Sequence, residues 1–446
     1  MFDLIVRGGQ VVTPQGVQRL DLGVEGGVLY AVSPDLAGTA RQEVDASGLH
    51  VLPGGVDVHV HFNEPGRADW EGLQTGSSAL LAGGGTTFAD MPLNSDPPLL
   101  DRATFAAKLA AAGRASHADF ALWGGLTPVN LEHLPELAEA GVLGFKAFMS
   151  GSGIREFPAA HGDVLHEGMR AAAALGLPVA VHAESDALTA QLQAALDGPG
   201  ASWREYLQSR PVRAELDAIR EALVLARETG CRLHVVHVSS GEGAALIAQA
   251  RAEGVDVTAE TCPHYLSFTE DDLLRVGAAL KCAPPLRSAQ VRDELWAAVL
   301  DGRIDTVGSD HSPCSPDLKT APNPFRVWGG VAGVQSTLQA MLTHGEERGL
   351  TLPRLTQLLS SAPARRFRLA GKGELTAGMD ADFALVDVEA RAELRREALL
   401  NRWPQTSPYL GGTYRGQVRE VWLRGERVFA QGQVLGAARG RLVRPA

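Results

Sequence analysis

The sequence predicts an α/β protein: a (β/α)8 TIM barrel with a small β-sandwich domain formed from both termini. Three observations support this: the length of 446 residues, a middle part that alternates strands and helices, and strand-rich ends. That length exceeds one ordinary small domain and accommodates a barrel with an accessory domain. We expect the small domain to comprise residues 1–53 and 371–446, and the barrel to comprise residues 54–370.

Both ends of the chain contain short candidate strands separated by glycine turns. Residues 3–6 and 28–32 are apolar segments near glycine pairs, and residues 382–387 and 418–423 repeat that style before Gly425. Strands bounded by glycine turns are typical of antiparallel sheets. Two all-β ends that flank a long middle part predict one small sheet domain to which both termini contribute.

The middle part alternates short apolar segments with longer segments rich in Ala and Leu. The candidate strands are 86–91, 120–124, 144–149, 178–182, 232–238, 256–260 and 306–309, and candidate helices include 104–112, 168–175, 213–229 and 291–300. Repeated strand–helix units predict a parallel sheet, and seven or eight of them over roughly 250 residues indicate a barrel. An open, doubly wound sheet is the alternative. The lack of a Gly-x-Gly-x-x-Gly motif after the first strand disfavours a dinucleotide-binding fold.

Composition excludes several classes of partner. The net charge of −11 argues against nucleic acid or an anionic membrane surface, so we expect a small-molecule substrate. Four cysteines without Cys-x-x-Cys spacing indicate reduced thiols. No apolar window has the length of a membrane span, and the first residues lack the pattern of a signal peptide. We therefore expect a cytoplasmic protein.

His59 and His61 form the most informative pair in the chain. They lie one residue apart at the end of a segment rich in β-branched residues. Because alternate residues of a strand face the same side, both imidazoles project together, as two ligands of one metal would. A single His-x-His pair is only moderately specific, since a lone histidine is more often a packed side chain.

Other polar residues end the later strands of the predicted barrel. They are Lys146, His182, His237 and Asp310, and in such barrels the C-terminal strand ends carry the chemistry. Imidazole and carboxylate ligands suit Zn²⁺, Mn²⁺, Fe²⁺ or Co²⁺. Six donors exceed the needs of one tetrahedral ion, so we expect two divalent metal ions.

Lys146 is the unusual member, because an ammonium group cannot bind a cation. Burial lowers the pKa of a lysine, and a neutral amine can add CO₂ to form a carbamate whose oxygens bridge two metals. A lysine paired with a carboxylate and a lysine that forms a Schiff base are the alternatives. The four neighbouring histidines favour the carbamate.

The order of these residues resembles the amidohydrolase superfamily, in its branch of cyclic amidohydrolases. That branch comprises dihydroorotases, hydantoinases (dihydropyrimidinases) and allantoinases, and the resemblance covers essentially the whole chain. It implies that His59 and His61 bind one metal with Asp310, that His182 and His237 bind the other, and that carbamylated Lys146 bridges them.

Within that branch the short motifs resemble allantoinases. Asn63 stands where dihydroorotases carry an arginine, and Gly151 stands where hydantoinases commonly carry a tyrosine. The segments that carry the resemblance are 64–67, 70–72, 91–94, 144–146, 281–285, 309–314 and 328–330. They imply hydrolysis of the hydantoin ring of allantoin to give allantoate, in purine catabolism. A hydantoinase (dihydropyrimidinase) is the main alternative, and a dihydroorotase and a non-catalytic scaffold are the others.

The resemblance also implies roles for individual residues. Asp310 would bind metal and transfer the proton. Ser312, Cys282, Asn94 and Pro284 would hold the substrate ring, while His264 and His311 would orient or pack without binding metal. Zinc is the expected metal, and relatives of this kind imply a homo-oligomer, a tetramer or a dimer.

Overall fold

The computed structural model describes residues 1–446. Its strands are β1 (Phe2–Thr13), β2 (Gly16–Glu25), β3 (Val28–Ser33), β4 (Ala40–Asp45), β5 (His50–Pro53), β6 (Gly55–Val60), β7 (Gly85–Asp90), β8 (Asp119–Leu122), β9 (Gly124–Gly125), β10 (Phe145–Phe148), β11 (Val179–His182), β12 (Leu233–Val235), β13 (Val257–Thr261), β14 (Thr306–Val307), β15 (Phe383–Glu393), β16 (Thr413–Leu423), β17 (Glu426–Ala430) and β18 (Gln433–Val434).

The helices lie mainly between the strands of the middle part. They are α1 (Leu73–Ala82), α2 (Arg102–Ala115), α3 (Leu134–Ala140), α4 (Gly162–Ala174), α5 (Asp186–Leu196), α6 (Trp203–Ser209), α7 (Val212–Thr229), α8 (Gly241–Ala252), α9 (Pro263–Ser267), α10 (Glu270–Val276), α11 (Ala289–Leu300), α12 (Thr337–Glu346), α13 (Leu352–Thr356) and α14 (Ala362–Arg366). None of them combines the length and the apolar character that a membrane crossing requires.

The middle part forms a closed barrel of parallel strands. β6, β7 and β8 pair in that order, and β9 to β14 continue the series. β8 and β9 flank Trp123 and act as one strand, which gives eight strands in all. A parallel bridge between Val60 and His311 joins the last strand to the first. The prediction of a (β/α)8 barrel is confirmed.

The barrel closes at a seam fixed by one buried carboxylate. Asp57 in β6 accepts the backbone N–H of His59 at 3.1 Å and that of Ser309, just after β14, also at 3.1 Å. The N–H of His61 donates to the carbonyl of His311 at 2.8 Å. The first and last barrel strands are therefore joined directly at His59 and His61.

Both termini contribute to one nine-stranded mixed sheet, as the sequence predicts. β1 pairs antiparallel with β2 and parallel with β4 and β5, and β15 pairs antiparallel with β5. Alternate residues such as Leu4, Val6 and Leu22 pack with Phe383 and Trp422 into a separate core. The N-terminal strands bury these apolar side chains against the C-terminal strands. The limits 1–53 and 371–446 stay a prediction.

A buried ion cluster attaches this sheet to the barrel. The Lys372 ammonium lies 2.7 Å from carboxylates of Asp119 and Asp382 and 2.8 Å from Asp380. Arg424 of the loop after β16 also pairs with Asp119. Asp119 begins β8, so the cluster lies at the N-terminal edge of the barrel, away from the strand ends that carry the histidines.

Two examples show how observed elements differ from the sequence prediction in their limits. The candidate strand 232–238 is shorter, because β12 ends at Val235 and the backbone of His237 takes a φ of 40°. The candidate helix 168–175 is the end of the longer α4. Its first turns carry the buried Leu165 between the exposed Asp163 and Glu167, so the helical period continues upstream of the predicted start.

Candidate metal centre

The barrel brings all six predicted donors to the C-terminal ends of its strands. His59 and Lys146 lie in β6 and β10, and His182 ends β11. His61, His237 and Asp310 follow the ends of β6, β12 and β14. All six side chains are buried.

His59, His61 and Asp310 form one half of this cluster. The Nε2 atoms of His59 and His61 lie 3.1 Å and 3.3 Å, respectively, from the same oxygen, Oδ1 of Asp310. The Nδ1 of His59 lies 2.7 Å from Oε1 of Glu260, and the Nδ1 of His61 lies 2.7 Å from the carbonyl of Leu93. Such outer partners fix a ring and direct the lone pair of Nε2 inward, as in metal-binding histidines.

His182 and His237 form the other half. Nδ1 of His182 lies 3.0 Å from Nε2 of His237, and Nε2 of His182 lies 2.8 Å from Oε2 of Glu184. The rings of His237 and His59 are 5.5 Å apart, so the two halves adjoin. Because Glu184 takes the N–H of His182 at Nε2, Nδ1 presents a lone pair toward His237.

Lys146 lies in the same cluster with no hydrogen-bond partner for its Nζ. The Nζ is 4.8 Å from the centre of the Phe148 ring. Burial disfavours the ammonium form and lowers the pKa of Lys146 to about 7, although Asp310 and Glu260 oppose that shift. A large fraction of this lysine is therefore a neutral, nucleophilic amine near neutral pH.

The electrostatics keep the carboxylates ionised. Burial alone would raise the pKa of Asp310, but His59 holds it well below its usual range. His59 and His234 similarly overcome burial at Glu260 and lower its pKa to about 2. Burial lowers the pKa of His237 well below its usual range. Burial disfavours protonated His59, but Asp310 and Glu260 outweigh it and raise the pKa of His59 to about 9. The cluster therefore combines anionic carboxylates with a neutral imidazole at His237 and a protonated one at His59, which a cation would deprotonate on binding.

Strained backbone positions aim several of these groups. His237 and Asp310 have φ values of 40° and 45°, in the left-handed region that non-glycine residues seldom adopt. Such conformations concentrate at functional sites. Gly308 leaves room for the neighbouring side chains of Glu260 and His59, because a Cβ at this position would lie 2.8 Å from Oε2 of Glu260.

The residues fit a divalent metal centre. Imidazole nitrogens and a carboxylate are the ligands that zinc and its first-row neighbours prefer. Buried polar atoms normally have hydrogen-bond partners, yet Nζ of Lys146 and Nδ1 of His237 have none within the protein. A cluster of inward-facing donors with an unpaired amine beside them is better explained by a cation site than by packing alone.

The cluster opens into a cavity of about 780 Å³. Asn94, Cys282 and Ser312 line it, together with Gly151 and Trp328. Pro284 is not among the lining residues, and its carbonyl accepts the hydroxyl of Tyr265 at 2.6 Å. Three of the four residues expected to hold the substrate ring therefore border the cavity directly.

His311 and His264 take different places near the centre. Nδ1 of His311 accepts the backbone N–H of Gly333 at 3.1 Å, and its Nε2 lies 3.2 Å from Glu71. Those bonds occupy the ring fully. Both ring nitrogens of His264 are buried without partners, and His264 groups with Cys262 and Asp310.

Glu260 and Glu184, which hydrogen-bond to the candidate ligands His59 and His182, were not predicted from the sequence. Glu260 ends a segment that was predicted only as a strand, and Glu184 stands two residues after His182. A carboxylate two positions beyond a histidine at a strand end would have been a weak signal for Glu184. Glu260 reaches His59 from a different strand, so no local spacing indicates it.

Comparison with known proteins agrees with this geometry. The model of the amidohydrolase family matches residues 50–428, and the chain belongs to that family. Among curated relatives, an allantoinase from Solibacter usitatus is 54% identical over 447 residues, covering 100% of this chain and 97% of the relative. An allantoinase from Deinococcus radiodurans is 53% identical over 446 residues, covering 100% and 99%.

Solved structures show the same fold. L-Hydantoinase (dihydropyrimidinase) from Arthrobacter aurescens superposes with a TM-score of 0.96 at 35% identity, covering 100% of each chain. Dihydropyrimidinase from Brevibacillus agri gives a TM-score of 0.91 at 28% identity, covering 99% of this chain and 98% of the other. The resemblance to cyclic amidohydrolases seen in the sequence is confirmed.

Proposed function

We propose that this enzyme hydrolyses the hydantoin ring of allantoin to give allantoate. One observation carries the proposal: six donor side chains converge on one cavity in a chain more than half identical, end to end, to curated allantoinases. Asn63 and Gly151 support it further, since they replace the arginine of dihydroorotases and the tyrosine of hydantoinases.

The proposed cofactor is a pair of divalent ions, with zinc favoured over iron, manganese or cobalt. His59 and His61 would hold one ion with Asp310, and His182 and His237 would hold the other. Lys146, carbamylated by CO₂, would bridge them. The unpaired Nζ of Lys146 and its lowered pKa support this assignment, because only the neutral amine adds CO₂.

When bound, such ions lower the pKa of water and polarise the scissile carbonyl. The side chain of Asp310 handles the proton. Its Oδ1 faces both His59 and His61, which leaves Oδ2 for proton transfer. Oδ2 takes a proton from the attacking water and delivers it to the ring nitrogen as the carbon–nitrogen bond breaks. General acid–base catalysis of this kind contributes roughly 10²–10⁴-fold in rate.

The segment 282–284, Asn94 and Ser312 would hold the ring. The hydroxyls of Tyr206 and Tyr265 donate to the carbonyls of Cys282 and Pro284, at 2.8 Å and 2.6 Å. Those bonds fix the backbone of the segment against the cavity. Pro284 would therefore act by shaping the segment, while Cys282 borders the substrate.

A substrate panel with elemental analysis tests the proposal. We expect turnover of allantoin to exceed that of hydantoin, dihydrouracil and dihydroorotate, with about two divalent ions per chain. Preferred turnover of hydantoin would favour the second candidate, a hydantoinase, which the TM-score of 0.96 to L-hydantoinase supports. Unchanged allantoin hydrolysis after complete removal of metal by a chelator would refute the metal centre.

We also propose a cytoplasmic homo-oligomer, a tetramer or a dimer, that binds neither nucleic acid nor membranes. The structural similarity to hydantoinases and the net charge of −11 support this. Light scattering coupled to size-exclusion chromatography tests the assembly, and a monomer at micromolar concentration would contradict it.

A further inference from the structure

Arg210 presents unused hydrogen-bond donors to the cavity. It follows α6, its side chain is only 15% exposed, and it lines the cavity beside the metal centre. One nitrogen, Nη1, pairs with Oε2 of Glu184. Its Nε and Nη2 have no partner within the protein. A guanidinium carries five N–H groups, and buried ones are normally satisfied, so the remaining groups are available to a ligand.

The surroundings hold Arg210 in this position. Arg287 donates from Nη1 to the backbone carbonyl of Arg210 and from Nε to the hydroxyl of Ser239 at 3.0 Å. Glu184 is itself held by His182 at 2.8 Å. Both contacts fall on Oε2 of Glu184, whereas its Oε1 has no partner. The ion pair therefore uses one N–H of Arg210, and the other N–H groups of the guanidinium stay available.

Asp186 supplies an acceptor on the same cavity wall. It is the first residue of α5, which packs against α6, and it lines the cavity. Its Oδ1 accepts the backbone N–H of Gly151 at 3.2 Å, which leaves Oδ2. A fixed donor and a fixed acceptor on one wall match a neutral group that has a carbonyl and N–H groups side by side.

We infer that Arg210 and Asp186 bind the ureido substituent of the substrate, an inference that rests on the proposed function. Arg210 donates to the ureido carbonyl, and the ureido N–H groups donate to Oδ2 of Asp186. The ring amide meanwhile faces the histidine cluster. Rings without this substituent gain nothing from either residue, so the pair determines specificity for ureido-bearing hydantoins.

The test compares allantoin with unsubstituted hydantoin. Glu184→Gln/Arg210→Met removes the buried ion pair as a unit, because removing Arg210 alone would leave Glu184 as an unpaired buried charge. Glu184→Gln alone is the matched control.

Relative to that control, we expect kcat/KM for allantoin to fall about 10- to 100-fold in the double variant, mainly through KM. The affinity for hydantoin, measured as KM or as Ki against allantoin, should change less than threefold. Asp186→Asn should also lower kcat/KM for allantoin.

Metal content and circular dichroism accompany the kinetics. Equal losses for both ligands, or a parallel loss of metal, would mean that Arg210 acts only through Glu184 and His182, and the inference would be overturned. Unchanged kinetics for allantoin would overturn it as well. Failure of the proposed function gives a different result, since the unmodified enzyme would then not turn over allantoin at all.

Discussion

The two halves of the metal centre differ in how fully the protein holds them. In the half formed by His59, His61 and Asp310, each histidine has an outer partner and faces a carboxylate. In the other half, Nδ1 of His237 and Nζ of Lys146 have no partner. The first half is therefore preorganised by contacts within the protein, whereas the second half leaves two buried nitrogens unpaired.

This difference has an energetic consequence. An unsatisfied buried polar group is unfavourable by about 1–3 kcal/mol, so the half with His237 and Lys146 carries a penalty that the other half avoids. Addition of CO₂ to the amine of Lys146 would relieve the part of that penalty that belongs to Nζ. We therefore expect the two halves to respond differently to substitution.

Replacing Lys146, the residue proposed to bridge the two ions, should have the largest effect. Lys146→Ala removes the amine that takes up CO₂, so the half with His182 and His237 should lose its metal and turnover should fall to background. The His59 half should retain a weakly bound ion, which elemental analysis can detect. Added acetate should restore part of the activity. Full activity and metal content in the variant would contradict the bridging role.

Substitution of Asp310 should come next. Asp310→Asn keeps the shape of the side chain but removes its proton-accepting oxygen, so kcat should fall by roughly 10²–10⁴-fold. The ion in the His182 half should remain, because Asp310 contacts His59 and His61. Steady-state kinetics and metal analysis of the purified variant check this. A variant with normal kcat would remove Asp310 from proton transfer.

The outer partner of His59 should have an intermediate effect. Glu260→Gln removes the charge that orients Nδ1, and loss of such partners typically weakens metal affinity 10- to 100-fold. Titration with a competing chelator measures the metal affinity of the variant. Glu71→Gln is the matched control, because Glu71 is an equally buried carboxylate that pairs with His311 outside the centre. Equal effects of both substitutions would indicate general destabilisation.

The smallest expected effect concerns pH. With the pKa of Lys146 at about 7, its neutral form increases about tenfold between pH 6 and pH 8. Reactivation of metal-stripped enzyme at fixed dissolved CO₂ and fixed metal should therefore be about tenfold faster at pH 8. Lys146→Ala should not reactivate at either pH in the absence of added acetate. A rate that falls as the pH rises would contradict a neutral amine as the acceptor of CO₂.

The sequence analysis placed the six candidate donors at strand ends, but it did not identify the residues that hydrogen-bond to them. His59, His61 and Asp310 were identifiable because strand ends and the two-residue period decide where such side chains point. Glu260 reaches His59 across 201 residues, and that contact depends on how β13 and β6 come together at the barrel end. Such a contact is a property of the closed barrel, so local spacing contains no trace of it.

The same reasoning explains the remaining differences. The strand at 232–238 was predicted too long because nothing local indicates that His237 leaves the extended conformation. Arg210 follows a short helix in the long connection between β11 and β12, where sequence patterns carry little information about tertiary contacts. Both features are set by tertiary packing, which overrides local preference.

The seam of the barrel places a limit on biosynthesis. Asp57 and His59 contact Ser309 and Asp310, which lie about 250 positions later in the chain. Because chains are synthesised from the N-terminus, these contacts form only after Ser309 and Asp310 have been added. A nascent polypeptide shorter than that has its histidine pair without the carboxylate opposite. Loading of the metal should therefore be a late event, and a ribosome-stalled fragment ending before Ser309 should bind zinc weakly, however long it is given to fold.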